Sequence, residues 1–503
     1  MKKDFDLKLK EFKEYLTKIH YLSCATNVLY WDARVYMPRK GSDFRSNVLG
    51  YLSGELYKLQ TSPKIQEFIE YFDPINDLDV VTRAMVDNVK LEYEKTKKIP
   101  EDRFTEYNIL VSKSENAWKE AKDNSDFTIF QPYLEKIVNF QKEFIGYWGY
   151  KDNKYDTLLD FFEPGITVEK LDKVFSEMRN STIELLNKIK NSDVKIDKSI
   201  LTKKIDIEKQ DKFSKDVLTQ MGFDFDAGRL DQTEHPFTID FGNKDIRITT
   251  HYFEDNFIIG GLLGNVHEGG HGIYEQDIPD DLEGTSLNTG TSMGIHESQS
   301  RFYENILGRS KGFWTYFYPI LQEQIEEYKD IDFNEFYKAI NLVEPSLVRT
   351  ESDELTYGLH IIIRYELEKA LINDEIQVKD LPEIWNKKYK EYLGVEPKND
   401  AEGVLQDVHW AGGSFGYFPS YALGNLYGAQ FLKKMENDIP NLNDKIEKGE
   451  LEVVHQWLKE NIHKYGAVYK PTTLIKKVTG EELSAKYFID YLNDKYKEIY
   501  ELS

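Results

Sequence analysis

The sequence predicts a mainly α-helical protein: one large helical body over residues 1–503, with a small β-hairpin. Three observations carry this. Apolar residues recur at spacings of three and four along most of the 503 residues. Only 236–253 switches to strict alternation. No Gly/Ser or Pro linker, internal repeat or low-complexity tract divides the chain, although its length alone suggests about two to four domains.

Residues 1–220 form the helical N-terminal part. Phe5, Leu9, Phe12, Leu16 and Ile19 make one apolar stripe; Leu134, Ile137, Val138, Gln141, Phe144 and Ile145 make another. Pro38 with Gly41, then Pro100, Pro132 and Pro164, are expected as boundaries. Tyr30-Trp31-Asp32 is expected to pack in the N-terminal core, with Asp32 capping. Residues 221–430 are the expected catalytic part. Phe237, Ile239 and Phe241 alternate with polar residues. After Gly242-Asn243, Ile246, Ile248 and Thr250 alternate again, which reads as a hairpin. The helical period returns at Phe257, and Gly412–Gly424 reads as a long aromatic loop. Residues 431–503 form an amphipathic helical C-terminal part.

Composition excludes some classes. Lys+Arg number 65 against 88 Asp+Glu, a net charge of −23, which argues against tracking a nucleic-acid backbone. No run of about 18 apolar residues occurs, so no membrane span is expected. Cys24 is the sole cysteine, so no intrachain disulfide forms. The N-terminus lacks an apolar signal region, and a cytoplasmic location is expected. Histidine and glycine are unevenly spread. Seven of ten histidines lie between His235 and His409, and twelve of 31 glycines between Gly222 and Gly294.

That region holds His267-Glu268-Gly269-Gly270-His271. On a helix, positions i and i+4 share a face, so both imidazoles can reach one Zn²⁺ at ~2.0–2.1 Å. Glu268 beside them is placed to take a proton from a water that the metal polarises. Three helical glycines, 269, 270 and 272, each cost about 1 kcal/mol relative to Ala, which implies close approach by a substrate chain or a second helix. A third ligand at 277 fails, because that position is Asp277 and 274 is Tyr274. Glu275, Glu283, Glu297 and Glu304 are the carboxylate candidates, and spacing does not choose between His296 and Glu297. Two His and one Glu suit hydrolytic zinc; non-haem iron uses a similar set.

These motifs and several others together resemble the thermostable metallocarboxypeptidases of the Taq carboxypeptidase type. They are His235-Pro236-Phe237, Asp245-Ile246-Arg247-Ile248-Thr249, the His267–His271 helix, His296-Glu297-Ser298-Gln299, Arg349-Thr350-Glu351-Ser352-Asp353, and Gly403 through Trp410. Gly416–Tyr421 and Tyr30-Trp31-Asp32 also match. The resemblance implies His267, His271 and Glu297 as ligands of Zn²⁺, with Co²⁺ as the alternative, and Glu268 as the catalytic carboxylate. It implies a homodimer with a deep groove, gluzincin-like, in the architecture of neurolysin and angiotensin-converting enzyme. It also names His409 and Tyr421 as oxyanion donors.

The expected activity is release of C-terminal amino acids from peptides with a free C-terminus. An oligo- or endopeptidase of the same architecture is the first alternative, and a non-catalytic peptide-binding protein the second. A free carboxylate calls for an arginine fork. Arg349 is the first candidate and Arg247 the second; their structural alternatives are ion pairs with Asp353 and Asp245. Asp245, Asp353 and Asp407 are candidate orienters of the ligating histidines. The strand at Asp245–Thr249 is a candidate edge for an extended peptide. No role follows for His251 and His360.

Overall fold

The computed structural model describes residues 2–502. It is mainly helical with one three-stranded sheet, and the chain divides into two compact units. The first comprises Met1–Lys97, Asp197–Ile340 and Phe431–Gly480; the second comprises Lys98–Ile196, Asn341–Gln430 and Glu481–Ser503.

In the first unit, helix α1 (Lys2–Val35) uses the predicted stripe. Phe12 and Leu16 are buried, and Phe5, Leu9 and Ile19 pack beside them. They meet Ile65, Phe68 and Phe72, whose helix starts at Pro63 with the Ser62 hydroxyl accepting from Ile65 N–H. Ile278, Leu282 and Leu287 complete this core, so it reaches the chain just beyond the His267 helix. Each such side chain contributes about 1.5–3 kcal/mol by burial. Tyr30-Trp31-Asp32 lies inside α1. Trp31 is buried as expected, but Asp32 pairs with Arg45 at 2.7 Å instead of capping a helix.

The predicted hairpin forms strands β2 (Thr238–Asp240) and β3 (Ile246–Thr250), antiparallel with Thr238 opposite Ile248, and Gly242 takes φ +116° in the turn. A strand the sequence did not reveal, β1 (Gly228–Gln232), pairs parallel to β3. Its Gly-Arg-Leu-Asp-Gln run has no apolar alternation, so only main-chain pairing defines it. The sheet order β1-β3-β2 corrects one expectation: β3 is the central strand, with both edges hydrogen-bonded, and cannot accept a peptide. Beyond the sheet come a π-helical turn at Phe257–Leu262, helix α2 (Leu263–Gln276), helix α3 (Met293–Arg301), and a second π-helical turn at Phe302–Leu307.

In the second unit, the Phe127–Trp148 helix buries the whole predicted stripe from Leu134 to Ile145. Pro132 lies within this helix rather than at its end. It sits in the second turn, where the helix forgoes one hydrogen bond. Helix α4 (Glu354–Ile372) is buried on nearly all sides, and its Arg364, His360 and Glu368 are each hydrogen-bonded. The expected loop at 412–424 ends early, because helix α5 (Phe418–Asp438) starts at Phe418 with Pro419 tolerated in its first turn.

Candidate metal centre

His267 and His271 project from one face of α2, and Glu297 from the facing α3. Their ligand atoms lie within 4.8 Å of one another. Glu297 Oε2 is 3.7 Å from His267 Nε2 and 3.5 Å from His271 Nε2. The glycines allow this approach. A Cβ on Gly270 would lie 2.7 Å from the Gln299 carbonyl oxygen and 2.8 Å from Ser300 Cα, so α3 packs directly on this position. A Cβ on Gly272 would meet Phe223 and Ile248, and one on Gly269 would meet Leu218. The close neighbours are therefore a helix, a strand and side chains of the same unit.

Each ligand candidate has an outer partner. His267 Nδ1 lies 2.8 Å from Glu304 Oε2, and His271 Nδ1 lies 2.6 Å from His296 Nδ1. Both rings thus turn Nε2 towards Glu297. Arg301 donates to Glu297 Oε1 at 2.7 Å and to Glu304 Oε2 at 3.1 Å, leaving Glu297 Oε2 as the atom facing the histidines. Ser300 Oγ also donates to that oxygen at 3.1 Å. Burial disfavours the charged form of Glu297, but Arg301 and the two histidines outweigh it and hold the carboxyl far below its usual range. Burial drives His271 down to about 3, so it is a neutral donor. His267 is raised, because the carboxylates of Glu297 and Glu304 outweigh its burial.

Glu268 is buried, which raises its pKa despite the charge of His267 and the Thr238 hydroxyl. Thr238 Oγ1 donates to Glu268 Oε2 at 2.6 Å. Two imidazole nitrogens and a carboxylate oxygen within reach of one point are a donor set that fits a divalent cation.

The sequence matches the carboxypeptidase Taq (M32) metallopeptidase family over residues 11–496. The chain belongs to this family. It is 49% identical over 493 residues to carboxypeptidase 1 of Bacillus subtilis, covering 98% of each chain. It is 40% identical to thermostable carboxypeptidase 1 of Thermus thermophilus, covering 97% of this chain and 98% of that one. The crystal structure of M32 carboxypeptidase from Deinococcus radiodurans R1 superposes with TM-score 0.95 at 32% identity, covering 99% of this chain and all of that chain. The protein is therefore an M32 metallocarboxypeptidase, a peptide hydrolase. No helix among its described residues is long and apolar enough to cross a membrane.

The other candidate residues of this M32 chain fall into two groups. In the first unit, Arg247 forms a two-pronged pair with Asp245, at 2.8 Å for both bonds, and lies between the Trp31 and Phe241 rings. Asp245 thus holds Arg247, the structural alternative foreseen for that arginine. In the second unit, Arg349 binds Asp407 rather than Asp353, with Nη2 at 3.0 Å from Oδ1. Asp353 instead caps α4, accepting from Thr356 N–H at 2.9 Å. Asp407 also binds Arg364, and the two guanidinium groups outweigh its burial to hold it well below the usual carboxylate range. His409 Nε2 lies 3.5 Å from Tyr421 Oη, and burial lowers that histidine to about 4.

His251 Nδ1 lies 3.0 Å from the Thr233 carbonyl oxygen, and His360 Nδ1 lies 2.9 Å from the Tyr389 hydroxyl. Sequence reasoning assigned no function to Thr238 or Arg301. The sequence presents Glu304, Glu275 and His296 only as candidate ligands and gives them no other role. The i, i+4 and i+7 spacing of Glu297, Arg301 and Glu304 was the available signal for two of them.

Proposed function

We propose that this metallocarboxypeptidase is zinc-dependent, releases C-terminal amino acids, and uses Glu268 as its general base. The convergence of His267 Nε2, His271 Nε2 and Glu297 Oε2 carries the reading. Tetrahedral zinc with bonds of ~2.0–2.1 Å requires ligand atoms about 3.3 Å apart. The two separations of 3.5 and 3.7 Å are close to that edge. Co²⁺ is the alternative ion.

When bound, the ion supplies Lewis acidity towards the scissile carbonyl and makes water nucleophilic near neutral pH. Glu268, aimed by Thr238, accepts the water proton and returns it to the leaving amine. Neutral His409 and Tyr421 are the proposed donors to the developing oxyanion. Arg349 is the proposed receptor for the substrate carboxylate. Two guanidinium groups share the single carboxylate of Asp407, so this cluster retains a net positive charge. Arg247 is the weaker candidate, since Asp245 and two aromatic rings already engage it. A homodimer and a cytoplasmic location belong to the same proposal, and the single Cys24 is compatible with a reducing compartment.

The test is metal analysis of the purified protein together with release of C-terminal amino acids. Chelation is expected to abolish release and Zn²⁺ to restore it. Amidating the peptide C-terminus is expected to abolish cleavage; sustained cleavage would select the oligo- or endopeptidase alternative. Peptide binding with no hydrolysis would select a non-catalytic role.

A further inference from the structure

His296 immediately precedes the proposed ligand Glu297, yet its ring makes a different set of contacts. Its Nδ1 lies 2.6 Å from His271 Nδ1, and its Nε2 lies 2.6 Å from Glu275 Oε1. The ring packs against Tyr274, with centroids 5.1 Å apart. Its place is sterically defined: a Cβ on Gly290 would lie 2.7 Å from His296 Cδ2 and 2.8 Å from Tyr274 Cε1. Glu275 is itself buried and accepts Thr289 Oγ1 at 3.3 Å. His267, His271 and Glu275 follow at i, i+4 and i+8, so one face of α2 carries both ligand histidines and the end of this chain of contacts.

Hydrogen bonding fixes the protons. The Glu275 carboxylate only accepts, so His296 carries hydrogen on Nε2. In the tautomer with hydrogen on Nε2, Nδ1 of His296 accepts, and His271 donates from its own Nδ1. That leaves the His271 Nε2 lone pair turned towards His267 Nε2 and Glu297 Oε2. Metal-binding histidines usually hand their second N–H to a carboxylate, carbonyl or water. His267 does so directly with Glu304, whereas His271 reaches a carboxylate through an intervening imidazole.

We propose that His296 is a positioning residue of the metal centre, and that the Glu275–His296 pair sets the tautomer and ring orientation of His271. This rests on the zinc reading above. The test is Zn²⁺ affinity of the full chain after metal stripping, by competition with a chromogenic chelator. His296→Phe fills the slot but accepts nothing, and is expected to weaken binding by about 10- to 100-fold. His296→Asn offers an amide oxygen near the position of Nδ1 and is expected to recover most of that loss. Glu275→Leu leaves both rings in place and is expected to weaken binding several-fold by releasing the His296 tautomer.

Wild-type affinity in His296→Phe or in Glu275→Leu overturns the proposal. An equal loss in the Asn and Phe variants also overturns it, since His296 would then act by ring packing alone. A wild-type chain that binds no Zn²⁺ overturns the zinc reading itself, a result distinct from the other three.

Discussion

Thr238 shows how the carboxylate proposed as general base, Glu268, is held by a residue with no local signal. Its hydroxyl lies 2.6 Å from Glu268 Oε2 and 3.1 Å from the Glu268 carbonyl oxygen. The His267–His271 spacing was legible because one helical turn fixes it. Thr238 was not, because thirty residues and a change from strand to helix separate it from Glu268. Thr238→Val keeps the shape and removes the donor. Under the proposed mechanism, kcat is expected to fall about 10-fold with KM and metal content little changed, because orientation acts on the proton-transfer step. Steady-state kinetics with metal analysis checks this; a KM effect alone would place Thr238 in substrate binding. Glu268→Gln is the reference variant, expected to keep the metal and lose hydrolysis. Metal loss in that variant would give Glu268 a structural role.

At the scale of elements, the glycines of α2 distinguish tight packing from mere permissiveness. Gly270 faces the backbone of α3 at Gln299 and Ser300, which moves only if the helix moves. Gly269 faces the end of the Leu218 side chain, which can rotate away. Gly270→Ala is therefore expected to cost about 1–3 kcal/mol through overpacking and to weaken metal affinity, because α3 carries Glu297. Gly269→Ala is expected to stay within about 1 kcal/mol of wild type, as the gain in helix propensity offsets the contact. Urea denaturation and chelator competition on both variants measure this; equal costs would remove the distinction. The sequence foretold close approach here because three glycines weaken a helix, but did not specify whether a substrate or a helix approached. Elsewhere, apolar period revealed the Leu134–Ile145 stripe and the β2–β3 hairpin. It missed β1, whose side chains do not alternate, and overextended the loop to Gly424, since Pro419 serves as well inside a first helical turn as outside one.

At the scale of the whole molecule, the chain visits each unit three times without a compositional mark at the crossings. The crossing after Gln430 falls inside helix α5. Separate segments must therefore be joined within each unit, and Asp277 does this in the first. It follows α2, and its Oδ2 lies 2.8 Å from both His455 Nε2 and His463 Nδ1, while Lys459 donates to Oδ1 at 2.9 Å. All three partners come from the 431–480 segment, and His463 Nε2 continues to Gln299 Oε1 at 2.9 Å, on α3. Burial opposes the Asp277 charge, but the two histidine contacts outweigh it and depress its pKa far below the ordinary value.

The folded state therefore binds this proton less readily than the unfolded chain does. The resulting stability is fully present above the unfolded value of about 3.9 and declines as pH falls from there towards the folded value. Asp277→Asn should cost about 1–3 kcal/mol at pH 7, the range for leaving buried hydrogen-bond partners unsatisfied. The gap from wild type should narrow as pH drops below about 4, where the wild-type carboxylate begins to lose its advantage. Urea denaturation of both proteins at pH 7, 5 and 3.5 measures that gap. A gap that stays constant with pH would mean that Asp277 joins the two segments by shape rather than by charge.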